Sequence, residues 1–460
     1  MPGEVMQAPE SGVTVRMYRT GLGDCFLLAF RGRDGSPVYM LIDCGVHGQY
    51  KGGGERIGKI AEHIQASVGQ RLHVVAVTHE HADHISGFDS AREVFLALEI
   101  GEAWLGWTEK PGDPEAGALK TRHSMMLDAL VEAQQKLAAA DPQTAEGVEG
   151  LLGFFGARGS DALNVVRERA KEAKYFKPKC APLRLPGVDG VRVFVLGPPE
   201  DRRSLMSSDP TGKAGQVYEE DAFAAALMAA EGALSSLVET AQPFAGNYRV
   251  PVDLVQERKD LYGFFHEHYG FGETDAEAWR RIDSDWRNPS AELALKLDSA
   301  TNNTSLVLAI ELEKSGRVLL FPGDAQVGSW ASWHEGGWTE ENGLARGETI
   351  TAKNLLNRTV LYKVGHHGSH NATLKDKGLE LMVSEELTAM IPVDESWALE
   401  RKPNPWRMPF GPLYEDLERR TKGRILRSDR GATGTGLEWK SLRHQPRFED
   451  LYVELTIADD

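Results

Sequence analysis

The chain has 460 residues and sets 52 basic against 68 acidic side chains, a formal charge of −16. That length accommodates one large domain with additions, or two to three domains, and the acidic balance argues against a broad nucleic-acid-binding surface. It leaves room for a phosphodiester substrate at a local basic patch or metal centre, while three cysteines are too few and odd in number for a disulfide framework.

In chain order, Met1-Pro2-Gly3-Glu4 lacks the basic and apolar text of a signal segment. Residues 13–45 read as three strands separated by glycine turns. Cys25 and Cys44 fall on neighbouring strands as buried thiols. Ile57 to Val68 reads as an amphipathic helix whose apolar stripe is Ile57, Ile60, Ala61 and Ile64. Val74 to Thr78 is the next strand. Residues 118–140 and 160–175 are predicted helical, and Val191 to Leu196 is a strand closed by Pro198-Pro199. Residues 200–216 are polar and turn-rich and read as a mobile linker, after which helices resume over 219–241 and 274–283. The most apolar of these, Ala222 to Val238, contains Glu231 and is too short and polar to span a bilayer. These features predict an α/β chain that is cytoplasmic and needs no membrane.

The densest chemistry lies at Val77-Thr78-His79-Glu80-His81-Ala82-Asp83-His84. His79 and His81 are two positions apart, which on a helix would point them about 200° from one another. The run suits the end of a strand entering a turn, and the apolar Leu72 to Val77 before it supplies that strand. Imidazole and carboxylate donors so concentrated are a metal-site signal. A zincin helix is excluded, because the position four after His79 is Asp83.

Other segments join this motif. Gly21-Leu22-Gly23-Asp24 precedes Leu41-Ile42-Asp43-Cys44-Gly45. Far downstream, Asn302-Asn303-Thr304-Ser305 leads into an apolar strand, and Val318 to Phe321 runs into Pro322-Gly323-Asp324. Lys363-Val364-Gly365-His366-His367-Gly368-Ser369-His370 follows, and later Arg427-Ser428-Asp429-Arg430-Gly431. Taken in this order, the motifs resemble the metallo-β-lactamase superfamily, in the branch containing the nuclease-like domain of the competence protein ComEC. The resemblance covers residues 13–95, 186–198, 298–365 and on to about 440.

The resemblance implies an αββα sandwich with large helical insertions. Residues 1–95 would be its first half, 96–185 a helical insertion, 186–198 a core strand, 199–297 linker and second insertion, and 298–460 its second half with C-terminal strands. It implies two divalent ions, Zn²⁺ or Mn²⁺ with Mg²⁺ as a further option. His79 and His81 would hold one, Asp83 and His84 the other, with Asp324 bridging and Asp43 orienting a metal-bound histidine from behind. One of His366 and His367 should join the second ion, and the strand end favours His366. His367, His370, Lys363 and Ser369 are then candidates to stabilise the transition state or protonate the leaving group, with Asp83 in a catalytic position. Many members carry a further histidine for the first ion. His123, His266 and His268 are the candidates here and none ends a clear strand, although the polar run Asn302 to Ser305 falls near where that ligand would arise.

For substrate, the basic loop Arg401-Lys402-Pro403-Asn404-Pro405-Trp406-Arg407 is the candidate phosphate contact, ahead of the aromatic and basic run Trp279 to Arg287, which reads better as a packed helix. Trp330 and Trp333 also read as core. The function expected is a metal-dependent phosphodiesterase, most plausibly a nuclease acting on DNA. It would be gated by the insertions and the 200–216 linker and opened by an activating protein or protease. A small-molecule hydrolase acting on a lactone, thioester or cyclic nucleotide is the second reading. A metal-binding regulatory module with little catalysis is the third.

Overall fold

The computed structural model describes the chain except for residues 1–4, 141, 156–158, 208–257, 259, 261, 266–286, 403–404 and 433–437. Most of the 200–216 linker, the helices expected over 219–241 and 274–283, His266, His268 and nearly all of Trp279 to Arg287 therefore lie outside the described residues. The chain divides into two compact units: residues 1–120, 152–212 and 298–460, and residues 121–151 with 213–297.

The first unit is mixed α/β and built on two large sheets. β1 (Val13–Tyr18), β2 (Cys25–Arg31) and β3 (Pro37–Cys44) form an antiparallel meander. β4 (Arg71–Ala76), β5 (Glu99–Gly106) and β6 (Ala170–Phe176) continue it in parallel. The second sheet is made of β7 (Val191–Gly197), β8 (Val307–Leu312) and β9 (Val318–Phe321), with later strands added beside β9. Between β9 and those strands the chain makes a two-stranded ribbon of β10 (Gly337–Trp338) and β11 (Ile350–Thr351). β12 (Thr359–Lys363), β13 (Thr388–Ile391), β14 (Ile425–Arg427) and β15 (Gly431–Ala432) then complete the second sheet in the order β15-β14-β13-β12-β9-β8-β7. β16 (Arg447–Phe448) and β17 (Tyr452–Ile457) return to the first sheet and pair beside β1, giving β16-β17-β1-β2-β3-β4-β5-β6.

Alternation along the strands explains the layering. Val13, Val15 and Met17 of β1, Phe26, Leu28 and Phe30 of β2, and Met40 and Ile42 of β3 share one core with Val193, Val195, Leu308, Ile310, Leu319, Phe321 and Leu361 of the second sheet. The opposite face of the first sheet, with Leu27, Ala29, Leu41 and Val75, packs on α1 (Gly53–Val68), α2 (Ala82–Ser90) and α3 (Arg92–Ala97). The expected stripe Ile57, Ile60, Ala61 and Ile64 is the buried face of α1. A period of two on each strand thus serves two cores, each buried aliphatic side chain contributing roughly 1.5–3 kcal/mol.

α4 (Pro114–Ala140) enters the second unit, which also holds most of α5 (Pro142–Leu152). The chain returns to the first unit through α6 (Gly159–Arg169), which packs on the same core as α1. The stretch 96–185 is therefore not wholly helical, because it contributes β5 and β6 to the first sheet. Residues 170–175, expected as helix, are strand. Their Ala, Lys and Glu content favours a helix, but pairing on β5 overrides it. Trp104 faces Lys174 in register, and Lys174 Nζ lies 2.7 Å from Glu102. Trp330 and Trp333 are buried as expected, and no described helix is long and apolar enough to cross a membrane.

Candidate metal centre

The carboxyl ends of β3, β4, β9 and β12 meet at one place, where the strands end and their loops carry polar text. The His79–His84 motif leaves β4, and His81 becomes the residue that caps α2, so Asp83 and His84 fall in that helix's first turn. Two glycines let neighbouring loops approach this turn. A side chain at Gly45 would strike the Asp83 carbonyl carbon at 2.4 Å, and one at Gly23 would strike the Asp83 oxygen at 2.6 Å. Asp24 N donates to that same oxygen at 2.8 Å. The glycine-rich turn and the Asp43 turn thus lie against the metal-motif backbone because no Cβ keeps them away.

Four donors converge. Asp83, His84, Asp324 and His367 each offer an atom within 4.8 Å of the others, and all four are buried. His84 Nε2 lies 3.1 Å from Asp324 Oδ2 and 3.7 Å from Asp83 Oδ2, and His367 Nε2 lies 2.8 Å from Asp83 Oδ2. His84 Nε2, Asp83 Oδ1 and Asp324 Oδ2 have no hydrogen-bond partner. Two of these orphaned atoms, His84 Nε2 and Asp324 Oδ2, face each other at 3.1 Å in a shell of imidazole and carboxylate, an arrangement that fits a divalent cation. Asp43 stands behind this group. Its Oδ2 is 2.8 Å from His84 Nδ1, while Thr78 N and Oγ1 donate to its two oxygens at 2.8 and 2.6 Å. The pairing leaves His84 Nε2 for a metal.

His367, rather than the expected His366, occupies the fourth corner. Both adopt left-handed backbone, with φ of 44° at His366 and 53° at His367, a conformation costly for a side-chain-bearing residue and held here by the loop. The twist turns successive rings apart. His367 Nδ1 lies 2.7 Å from Pro392 O and its Nε2 faces Asp83, whereas His366 Nδ1 lies 2.8 Å from Ser369 Oγ and 3.2 Å from Gln326. Ser369 is correspondingly buried against His366 and Asn371. His370 is exposed, with its ring near Phe410.

Lys363 is also placed differently from expectation. Its ammonium is buried and bound to Asp24, to Asp324 Oδ1 at 3.0 Å and to the Gly323 carbonyl at 2.8 Å. Burial opposes its charge, but Asp24 and Asp324 outweigh it and hold the ammonium well above its ordinary range. It stands as a buried counter-charge between the two carboxylates. The same balance sets the carboxylates. Burial pushes Asp24 up to about 6, against the pull of Lys363 and His84. At Asp324 burial is overcome by Lys363 and His84, so its carboxyl sits well below the usual range. Burial also opposes charge on His84, yet four surrounding carboxylates raise it. For His79 and His366 burial prevails and both rings are held neutral, His366 at about 4.

His79 and His81 form a second corner. His79 Nε2 is 3.0 Å from His81 Nδ1, and His79 Nδ1 lies 3.1 Å from Thr78 Oγ1 and 3.3 Å from Ser305 Oγ. The polar run after the helix Arg287–Asn302 supports this side without supplying a histidine. Ser305 Oγ accepts from Asp324 N at 3.1 Å, and Asn303 Oδ1 accepts from Gln326 N at 3.1 Å. His123 lies on α4, in the second unit. Two contributors went unnoticed in the sequence: Asp24, read only as part of a turn, and Asp298, to which no motif pointed.

An aromatic group adjoins the site. Phe154 stacks on Trp406 at 5.3 Å between ring centres and meets His47 at 4.4 Å and His81 at 5.7 Å, while Phe155 meets His81 at 4.8 Å. The segment is fixed by backbone bonds from Gly48 N to Gly153 O at 3.1 Å and from Ala82 N to Phe154 O at 2.5 Å. The Arg401 guanidinium lies 3.9 Å over the Trp397 ring, and Trp397 in turn touches His47 and Trp406. Lys402 is exposed, and Pro403 and Asn404 lie outside the described residues.

No protein-family model and no curated protein matches this chain.

Proposed function

We propose that this chain is a metal-dependent hydrolase of the metallo-β-lactamase type, in its ComEC-like branch, and that it cleaves a phosphodiester, DNA first among the candidates. The observation that carries the reading is the convergence of Asp83, His84, Asp324 and His367, with His84 Nε2 and Asp324 Oδ2 facing each other without hydrogen-bond partners. Asp24 and Asp43 add two further buried carboxylates, and the Lys363 ammonium pairs with Asp24 and Asp324. Such a shell is stabilised by a bound cation. Two sheets sharing one core, with helices on the outer face of the first, support the sandwich reading.

When bound, divalent ions such as Zn²⁺, Mn²⁺ or Mg²⁺ supply a water of lowered pKa and clamp the attacking and leaving oxygens. The residues do the positioning. Asp83, His84, Asp324 and His367 would hold the second ion, and His79 and His81 would offer Nε2 and Nδ1 to the first. Asp43 keeps the His84 proton on Nδ1. Lys363 and the His366 amide, which donates to Asp324 Oδ1 at 2.8 Å, leave the other Asp324 oxygen for metal. His366, at 7% the most exposed of the site's imidazoles, is assigned to the leaving oxygen, where a neutral ring gives a hydrogen bond. The DNA part of the reading rests on the resemblance, with Arg401 and Lys402 as phosphate contacts.

The test is cleavage of single- and double-stranded DNA with Mn²⁺, Mg²⁺ or Zn²⁺, beside a His81→Ala/Asp83→Ala control. Metal-dependent cleavage lost in the control supports the reading. Metal binding without cleavage favours the small-molecule alternative, for which the wall of Phe154, Phe155 and Trp406 against the site is the specific observation.

A further inference from the structure

Asp298 lies one turn before the end of the helix Arg287–Asn302 and is 5% exposed. Its Oδ2 accepts from Asn302 Nδ2 at 3.1 Å, while its Oδ1 has no hydrogen-bond partner. That oxygen faces His81 Nε2 at 4.0 Å. The other nitrogen of the same ring, Nδ1, is the one 3.0 Å from His79 Nε2. His81 therefore has one nitrogen toward its partner histidine and the other toward a buried carboxylate.

The same arrangement occurs elsewhere in the site. His84 turns Nδ1 to Asp43 at 2.8 Å and Nε2 into the four-donor group. In both cases a carboxylate stands on the side of the ring away from the converging donors. Asp43 follows a strand and belongs to a recognisable motif. Asp298 reaches its histidine from a helix that no motif marks.

We infer that Asp298 is the positioning carboxylate of a first divalent-ion site formed by His79 Nε2 and His81 Nδ1. A neutral imidazole carries one proton. An ionised Asp298 beside Nε2 would keep that proton there, leaving the Nδ1 lone pair to bind metal, and would also fix the ring's direction. Asn302 contributes by engaging Oδ2, which leaves Oδ1 for the ring. At 4.0 Å the pair is one short side-chain movement, or one bridging water, from a hydrogen bond. In this chain the side of the site without a third histidine is thus served by an aspartate acting through His81. The inference rests on the metal-centre reading above.

The experiment is titration of the chelator-stripped full chain with Zn²⁺ and Co²⁺, read by calorimetry and by competition with a chromogenic chelator. It compares wild type, Asp298→Asn, Asp298→Ala, His81→Ala, His84→Ala and the His81→Ala/Asp298→Asn pair. Wild type should take two equivalents and His81→Ala one. Asp298→Asn should weaken only the equivalent that His81→Ala removes, by about 10–100-fold, and should add nothing in the His81→Ala background. The unchanged second equivalent reports that the variant is folded, and the near-isosteric Asn form decides if the Ala form does not fold. Unchanged affinity at both sites, or equal weakening of both, overturns the inference. One equivalent in wild type, lost in His84→Ala and kept in His81→Ala, overturns it while leaving the metal centre standing. No metal uptake by wild type sinks both.

Discussion

His367 Nε2 stands 2.8 Å from Asp83 Oδ2, although 284 positions separate the two residues. One comes from the turn after β4 in the first sheet and the other from the turn after β12 in the second. The candidate centre exists only where the two sheets bring their carboxyl ends together.

That pairing distinguishes adjacent histidines. His367→Ala should remove the metal equivalent shared with Asp83, His84 and Asp324, weakening it by more than about 100-fold, beyond the range of a residue that only supports a ligand. His366→Ala should retain that equivalent within about tenfold and lose activity instead. Chelator competition on both variants decides, and the reverse order of effects would restore His366 as the ligand.

Lys363 should matter to stability more than to proton transfer. Lys363→Met leaves Asp24 and Asp324 buried without their shared cation, at a cost of about 3–5 kcal/mol. Denaturant unfolding in metal-free buffer measures this. The loss should shrink when metal is added, because binding favours the folded state. A change below about 1 kcal/mol would show that the ammonium is dispensable.

Away from the centre, Tyr39 N donates to His73 Nδ1 at 3.0 Å, which requires an unprotonated nitrogen. Burial, and then Arg71, hold His73 below its usual value of 6.5. The folded state therefore favours the neutral ring. This contribution is whole above the unfolded value and is lost as pH falls through it toward the lower folded one. His73→Gln, which can still accept the bond, should show a flatter fall in melting temperature than wild type as pH drops from about 7.5 to about 5.5. Parallel curves would contradict it.

Phe154 should act as a cover. Phe154→Ala should cost about 3–5 kcal/mol, because the ring is 2% exposed and stacked on Trp406. Metal stoichiometry should be unchanged, and a chelator should strip the metal faster than from wild type. An unchanged stripping rate would mean that the ring closes nothing.

The local parts of this centre were legible in the chain. His79 to His84 announced donors at a strand end, Asp43 stood at the end of an apolar strand, and Asp324 sat where another apolar strand stops. Alternation in β1 to β4 and the stripe of α1 marked the layers in the same way, because period two and period 3.6 are properties of the backbone itself. β6 was not legible, since its residues favour a helix and only pairing with β5 makes them a strand.

The sequence by itself determined the donor types, their neighbourhood at strand ends and the chain's excess of acid. Tertiary structure alone decided which of His366 and His367 turns inward, that Lys363 is locked between Asp24 and Asp324, and that Asp298 faces His81. The physical reason is that such choices depend on backbone twist and on partners hundreds of positions away. Two adjacent histidines look alike in text, and a left-handed turn sends one ring to Asp83 and the other to Ser369.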